Sequence, residues 1–497
     1  MSESLGATEA ALVAARRENL AALRSRGNDP FAQTRFEADT NAAEATQKYG
    51  FLKPEEKAEA EDWSLAGRVM SKRRMGKTIF ADVRDRTGRL QVYVRKDEIG
   101  EETFQDWIDL DIGDIVGVHG FLFRSKMGEL TLHVKTFVVL AKALYPLPDK
   151  WHGLTDVEKR YRQRYVDLIV NPDVRETFAL RSRIVSEMRR FIDAAGFFEV
   201  ETPTLLHVAG GAAARPFVTQ VNALDQMMQL RIATELNLKR LIVGGMERVY
   251  EIGRIFRNEG IDTTHNPEFT MLELYAAYWN LGDMLEFNEA LLAHLASVVT
   301  EGGDSIAHGE ETLSFKRPFA RISYLEGIAE HGGFTRERLL DPRGAEDILC
   351  ELGLPKSPTH GHALDKIFER VLEPHLVQPT FVTDYPVIIS PLAKRKADDP
   401  ELVDRYELFC GNFEVSNAFT ELNDPDDQRA RFEAQVSERA QGDDEIPEPD
   451  WDYVRALEYG MPPTAGIGVG VDRLVMLLTN NVSVRDVILF PLQRQHG

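Results

Sequence analysis

The spacing of apolar positions divides the chain into stretches of different period. Ala and Leu recur at helical spacing through Glu9–Leu23, and a Lys/Glu-rich run continues to about Asp62, so residues 1–62 are expected to form a helical arm rather than a core. From about Leu65 to Leu144 the pattern shortens to the runs Ser64–Val69, Thr78–Asp85, Arg89–Val94, Ile115–Phe123 and Glu129–Leu140. Gly76, Gly88, Gly113, Gly120 and Gly128 punctuate them. Five short strands within residues 63–144 predict a small β-barrel. A Pro-containing basic connector follows, covering residues 145–171. Helical spacing resumes at Pro172–Ala195, with the apolar residues Phe178, Leu180, Ile184, Met188 and Phe191. Residues 172–497 then mix β-like runs with helices and predict a second, larger α+β domain. Neither a GxGxxG loop nor a Walker P-loop occurs, so the common nucleotide-binding α/β designs are not indicated. The acidic stretch Asp443–Asp452 reads as a solvated loop.

Within the larger domain, Arg248–Tyr278 has β-like ends around a polar, turn-rich centre from Asn258 to Pro267, the pattern of a hairpin with a long loop. Such a hairpin would bring Arg257, at the end of its first strand, towards Glu273 and Tyr275 on the second. These last two point the same way because strand side chains repeat every two residues. In Tyr406–Asp424, Glu407, Glu414 and Glu421 recur seven positions apart. Phe409, Phe413, Val415 and Phe419 alternate as in strands and Gly411 marks a turn, so two strands are expected. Carboxylates gathered on neighbouring strands suit Mg²⁺, a hard ion that prefers oxygen ligands. In Gly466–Phe490 a glycine-rich strand runs into the apolar Leu474–Leu478, presenting Arg473 at the junction, where a guanidinium can clamp a phosphate.

Composition narrows the picture further. Hydrophobic residues make up 43% and charged residues 28%, and no window is long and apolar enough for a membrane span. The N-terminal fifty residues lack the apolar core of a secretory signal, so a cytoplasmic protein is expected. Cys350 and Cys410 stand alone, without partners at zinc spacing. The net charge of −21 argues against a chain-wide nucleic-acid surface, yet Gly67–Lys96 carries ten basic residues against Asp82 and Asp85. That local excess would steer a polyanion to the barrel.

Taken together, these segments resemble the three signature motifs of class II aminoacyl-tRNA synthetases, over roughly Leu65 to the C-terminus. Gly196-Phe-Phe-Glu-Val-Glu-Thr-Pro203 is similar to the first, dimer-forming motif, Phe256-Arg-Asn-Glu-Gly260 with His265-Asn-Pro-Glu-Phe269 to the second, and Gly466–Leu478 to the third. Gly210-Gly-Ala-Ala-Ala-Arg-Pro-Phe217, Arg231-Ile-Ala-Thr-Glu-Leu236 and Glu414-Val-Ser-Asn-Ala-Phe-Thr-Glu-Leu-Asn423 resemble the lysine-specific branch of the aspartate, asparagine and lysine subgroup. The barrel resembles that subgroup's anticodon-binding OB domain.

The resemblance implies a lysine–tRNA ligase fold of N-terminal OB barrel plus class II catalytic domain, an antiparallel sheet flanked by helices. It implies ATP, L-lysine and tRNA(Lys) as partners, Mg²⁺ as cofactor, and a homodimer. Arg257 would bridge the lysine carboxylate and the α-phosphate, and Phe269 would stack on adenine. Glu259, His265 and Asn266 would hold the nucleotide, Arg473 would reach the other adenine face or the γ-phosphate, and Glu407 and Glu414 would ligate Mg²⁺. Glu235 is implied near the α-amino group and Glu273, Tyr275 and Glu421 around the side-chain end, with Gly211, Asn417 and Phe419 completing the pocket. An aspartate-type pocket would instead need a cation facing the side chain, and none stands at those positions. In the barrel, Arg73, Phe80, Gln91 and Glu129 match anticodon-reading positions, Phe80 within the Gly76-Lys77-x-x-Phe80 pattern. Two departures stand out. Ser416 replaces a usual Gly or Ala, where its hydroxyl would narrow the pocket, and Thr234 stands where Pro is frequent. Rival readings are an aspartyl- or asparaginyl-type enzyme, a paralogue that lysylates a protein, and a non-catalytic OB-fold regulator; the acidic pocket, the barrel and the intact Arg257, Glu407, Glu414 and Arg473 weigh against each in turn.

Overall fold

The structure, a computed structural model, describes residues 7–148, 154–439 and 448–494. The chain divides into two units, Met1–Gly153 and Leu154–Gly497. In the first, α1 (Ala7–Ser25) and α2 (Ala42–Tyr49) precede β1 (Lys57–Met75), β2 (Thr78–Arg84) and β3 (Arg89–Arg95). Then come α3 (Lys96–Ile99), α4 (Glu101–Asp109), β4 (Ile115–Arg124) and β5 (Leu130–Ala141). The strands close a barrel in the order β1-β2-β3-β5-β4. On β2 and β3 the inward positions Ile79, Ala81, Val83, Leu90, Val92 and Val94 are buried and the alternate ones face out, the period-two signature of a half-buried strand.

Two expectations need correction here. The Lys/Glu-rich stretch before Asp62 is not helical: β1 begins at Lys57, because the backbone pairs with β4 (Lys57 opposite Phe123) while the charged side chains stay in solvent. Pairing overrides the weak helical preference of Lys and Glu. Nor are the preceding helices a detached arm. Leu23, Ala42, Ala45 and Tyr49 belong to the barrel's own core, and the buried Arg16 donates to the carbonyls of Ala143 (2.6 Å) and Ile112 (3.1 Å). Between β3 and β4, α4 plugs the barrel with Phe104 and Trp107, and its C-terminal carbonyls are capped by Lys72 Nζ, which reaches Ile108 O at 2.7 Å.

The second unit opens with α5 (Val157–Arg162) and α6 (Arg164–Val170), inside the stretch expected to be a plain connector; Arg164 and Asp167 form a fully buried ion pair at 2.5 Å that gives these turns a fixed place. The order continues α7 (Pro172–Ala194), β6 (Phe198–Glu199), β7 (Leu205–Leu206), β8 (Val218–Val221), β9 (Gln226–Leu230), α8 (Glu235–Val243), β10 (Arg248–Phe256) and β11 (Glu268–Ala277). Next come α9 (Leu281–Val299), β12 (Ser305–His308), β13 (Glu311–Ser314), β14 (Ala320–Ser323), α10 (Tyr324–Gly332), α11 (Arg336–Leu340), α12 (Pro342–Glu351), α13 (His360–Val371) and β15 (Thr380–Pro386). The chain ends with β16 (Leu402–Cys410), β17 (Phe413–Thr420), α14 (Pro425–Arg439), α15 (Trp451–Glu458), β18 (Thr464–Gly470), α16 (Val471–Leu478) and α17 (Val484–Val487).

Eight strands form one sheet, β14-β15-β16-β17-β18-β11-β10-β6, antiparallel except for β14 with β15 and β10 with β6. Alternation sorts its two faces. Leu272, Leu274, Ala276, Ala465, Ile467, Val469, Tyr406 and Leu408 join the core with α7, α9 and α16. The intervening positions, among them Glu273, Tyr275, Gly466, Gly468 and Glu407, line a cavity on the other face. A salt bridge fixes the two layers: Asp472 at the start of α16 pairs with Arg181 of α7 (2.5 Å) and accepts from the Thr270 N–H of β11 (2.6 Å). No helix among the described residues is long and apolar enough to cross a membrane.

Candidate active site

The hairpin read from the sequence is present. β10 and β11 pair antiparallel with Glu251 opposite Glu273 and Ile255 opposite Phe269, and the Arg257 N–H donates to Pro267 O at 2.9 Å, closing the loop. β16 and β17 form the second expected pair, with Gly411 and Asn412 both at φ +65° in the turn. A hairpin turn of this kind needs left-handed backbone, which Gly and Asn tolerate. β18 lies between β17 and β11 and so brings the two hairpins side by side.

The cavity on this face has a volume of about 680 Å³ and is walled by all the nucleotide-, lysine- and metal-site residues implied for the catalytic domain. At one end sit Glu235, Glu273, Tyr275, Phe419 and Glu421, with Gly211 and Asn417 beside them. In the middle lie Arg257 and Phe269, the guanidinium 5.3 Å from the ring centre. Glu259, His265, Asn266, Glu407, Glu414 and Arg473 complete the lining, Glu407 directly opposite Asn417 on the neighbouring strand.

Hydrogen bonds define each group's environment. Glu273 is buried and accepts from the Thr234 N–H (2.9 Å) and the Tyr275 hydroxyl (3.3 Å). Burial nevertheless pushes its carboxyl up to about 7, with Glu235 adding to the shift. A proline in place of Thr234 would have no N–H to give, so this departure supplies Glu273 with a donor. Burial pushes the Arg257 guanidinium down, against the pull of Glu259, Glu414 and Glu273, and among the described residues its one hydrogen bond is a long one to Ile232 O (3.3 Å). Arg473 donates to His265 Nε2 (3.0 Å) and to Glu414 O (3.0 Å), so the second and third motifs touch directly. Asn266 is buried with its side-chain oxygen unpartnered, an acceptor left over on the cavity wall.

Ser416 differs from expectation. It is buried on the core side of β17 and its hydroxyl accepts from Asn288 of α9 (2.8 Å). Alternation turns it away from the cavity that Asn417 and Phe419 line, so it does not narrow the pocket.

Several groups escaped the sequence reading. Arg405 pairs with Glu407, donates to Asn417 Oδ1 (3.1 Å) and lies over the Tyr385 ring at 4.5 Å, holding three wall residues at once. Its two-residue spacing from Glu407 on β16 was the available signal. Lys239 is fully buried and pairs with Glu235 (2.5 Å) and Glu421. The spacing of Glu235 and Lys239 reads in sequence as an ordinary exposed helix pair. Gly466 is required by space. A Cβ there would stand 2.2 Å from Glu421 Oε1 and 2.3 Å from the Tyr275 ring.

Among the described residues no group of three or more His, Cys, Asp or Glu is gathered as a metal cage. Glu407 and Glu414 nevertheless share the cavity wall, and burial, opposed by Arg405 and helped by Glu414, pushes Glu407 up to about 7. Cys350 is exposed and Cys410 buried, both free. In the acidic stretch, Asp450 pairs with Arg240 (2.8 Å) and caps α15; residues 443–447 of that stretch lie outside the described residues.

On the barrel, Arg73 is opposite Phe80 and Phe80 opposite Tyr93, so these share an outer face. Phe80 is therefore not barrel core: its ring lies 4.8 Å from Tyr93, which continues to Phe123 and His133. Gln91 accepts from Thr131 (3.0 Å), whose hydroxyl also donates to Glu129 O (3.1 Å), placing the four residues around one patch. The basic run is less uniform than its composition suggested, since Lys72 is spent on α4 and Lys77, Arg95 and Lys96 pair with Asp97, Glu98 and Glu101.

Comparison with known proteins agrees with this geometry. Residues 156–494 match the family of tRNA synthetases class II (D, K and N), and residues 63–140 match the OB-fold nucleic acid binding domain. The chain belongs to the class II tRNA synthetases of the aspartate, lysine and asparagine group. It is 52% identical over 497 residues to a lysine–tRNA ligase of Halalkalibacterium halodurans, covering 99% of this chain and 98% of that one. It is 52% identical over 487 residues to one of Pelotomaculum thermopropionicum (97% and 95%) and 51% identical over 483 residues to one of Bacillus subtilis (97% and 96%).

Gly466→Ala should force Glu421 and Tyr275 apart and cost about 1–3 kcal/mol of stability as an overpacked site. Denaturant unfolding of the variant checks this; an unchanged midpoint would mean that the wall yields freely.

Proposed function

We propose that this chain is an ATP-dependent lysine–tRNA ligase: it activates L-lysine to lysyl-adenylate, releasing pyrophosphate, and transfers lysine to the 3′ end of tRNA(Lys) for translation in the cytoplasm. The observation that carries the substrate assignment is the convergence of Glu235, Glu273 and Glu421 on one end of the cavity that also holds Arg257. Lysine brings two ammonium groups and a carboxylate, and a buried charge without a partner is strongly penalised. Three carboxylates beside one guanidinium suit that pattern and repel an acidic side chain.

Adenylate formation is in-line attack of the lysine carboxylate oxygen on the α-phosphorus of ATP, with the bond to the β-phosphate oxygen breaking and pyrophosphate leaving. Positioning and charge neutralisation supply the rate, and no strong acid or base is needed. Arg257 is suited to hold carboxylate and α-phosphate together, Glu235 the α-ammonium, and Glu273, Tyr275 and Glu421 the side-chain end. Phe269 offers a face for adenine, with Asn266, Glu259 and His265 as polar contacts. Arg473 would exchange Glu414 and His265 for a phosphate or the adenine face. Glu407 and Glu414 would hold Mg²⁺: two hard oxygen donors, one pushed up by burial beside the other, fit a divalent cation. Bound there, Mg²⁺ would neutralise triphosphate charge.

On the barrel, the outer aromatics and Arg73, Gln91 and Glu129 suit an unstacked anticodon, since bases stack on aromatic faces in a basic groove. Exposed apolar residues on the first-motif strand and the small sheet β7-β9-β8, including Phe198, Leu205, Val218 and Met227, support a homodimer.

The deciding experiment is ATP–pyrophosphate exchange with each of the twenty amino acids, with lysine expected to support it; exchange with aspartate and none with lysine would overturn the substrate. Glu421→Gln should weaken lysine by about 2–5 kcal/mol, as loss of a buried charge partner does, and an unchanged KM would remove Glu421 from the pocket. Because Glu273 sits at about 7 and the substrate ammonium needs its ionised form, KM for lysine should rise as pH falls through 7 and level off above it. A flat profile would exclude Glu273 from binding. Phe80→Ala should reduce tRNA affinity by about 1–3 kcal/mol, the worth of one stacked base, while leaving exchange intact; equal loss of both activities would contradict the anticodon role.

A further inference from the structure

Lys239 poses a problem that the reaction above does not use. Its side chain is fully buried, it does not line the cavity, and yet it meets two of the carboxylates that do: Glu235 at 2.5 Å and Glu421 in direct contact. Around it stand the rings of Phe419 (5.3 Å), Tyr453 (5.8 Å) and Tyr275 (5.9 Å), drawn from β17, α15 and β11. Two further charges stand near this cage among the described residues: Glu273, which accepts from the Tyr275 hydroxyl (3.3 Å), and Arg240, over the Tyr453 ring at 5.9 Å and itself paired with Asp450. Stability alone does not explain a lysine here. A buried ion pair is often matched or bettered by well-packed apolar side chains, because taking both charges out of water is costly.

Charge balance does explain it. The cavity end holds three carboxylates, Glu235, Glu273 and Glu421, and a bound lysine brings two ammonium groups. We propose that Lys239 is a positioning residue for the substrate, supplying from behind the wall the third positive charge and so fixing the orientation of Glu235 and Glu421 and keeping Glu421 charged. This rests on the assignment of lysine as substrate. Among the described residues neither Glu421 oxygen has a hydrogen-bond partner beyond the ion pair with Lys239, so the carboxylate is held by that ammonium. Electrostatics agree in direction. Burial would lower Lys239, but Glu235 and Glu421 hold it above the ordinary lysine range. Burial pushes Glu421 up, Lys239 pulls it back, and Glu235 and Glu273 push it up again. Lys239 is thus the group, among the described residues, that favours the charged form of Glu421.

The test is the pH dependence of KM for lysine in ATP–pyrophosphate exchange, for the wild-type enzyme, Lys239→Met and Lys239→Arg. In Lys239→Met the pH at which KM reaches its plateau should move up by about one unit or more, which raises KM near neutrality about tenfold. KM for ATP should stay unchanged and Lys239→Arg should keep the wild-type profile. A Lys239→Met profile that superimposes on the wild type overturns the proposal, as does an equal rise in KM for lysine and ATP without a pH shift, which is packing damage. If Lys239→Met does not fold, unfolding of Lys239→Met/Glu421→Gln decides: recovery of the fold on removing the second charge supports the pairing, and no recovery overturns it. Absence of lysine-dependent exchange in the wild type would instead sink the substrate assignment itself.

Discussion

Three carboxylates held away from water around one small space are the constraint on which the catalytic unit is built. Such groups repel one another and lose hydration, and each needs a compensating partner. The structure meets the cost with few groups. Thr234 and Tyr275 donate to Glu273, and Lys239 pairs with Glu235 and Glu421. What these partners leave uncompensated is the affinity available to a doubly cationic ligand.

The sheet makes that arrangement possible by separating its faces. One side of each central strand contributes Leu, Ile, Val and Ala to the core with α7, α9 and α16, and the other carries the charged and glycine positions. The joint at Asp472, reaching Arg181 and Thr270, ties the helix bearing Arg473 to the strand bearing Glu273. The barrel solves a different problem with the same alternation, packing its interior with Val, Leu and Ile and leaving Phe80 and Tyr93 outside.

Much of this was legible in the sequence because it was carried by period and turn chemistry. The two hairpins, their Gly411 turn and the strand running into Arg473 all follow from alternation, and the nucleotide-, lysine- and metal-site residues that the resemblance implied line one cavity. Other features were not legible, for physical reasons. Lys57–Asp62 looks helical by composition, and only pairing with β4 makes it a strand. Ser416 looked like a pocket residue until strand parity turned it to Asn288. Lys239 was not singled out, because sequence spacing does not reveal which helix face is covered by Tyr453 and Phe419.

The glycines of β18 have a consequence for how sharply the site can measure its ligand. Gly466, Gly468 and Gly470 face the cavity, and that stretch of floor consists of peptide backbone. A floor of this kind, pinned in the sheet, has no side-chain torsions to relax and no rotamer freedom to lose when something lies on it. It behaves as a rigid ruler, so differences in length among candidate amino acids register at the far glutamates instead of being absorbed underneath.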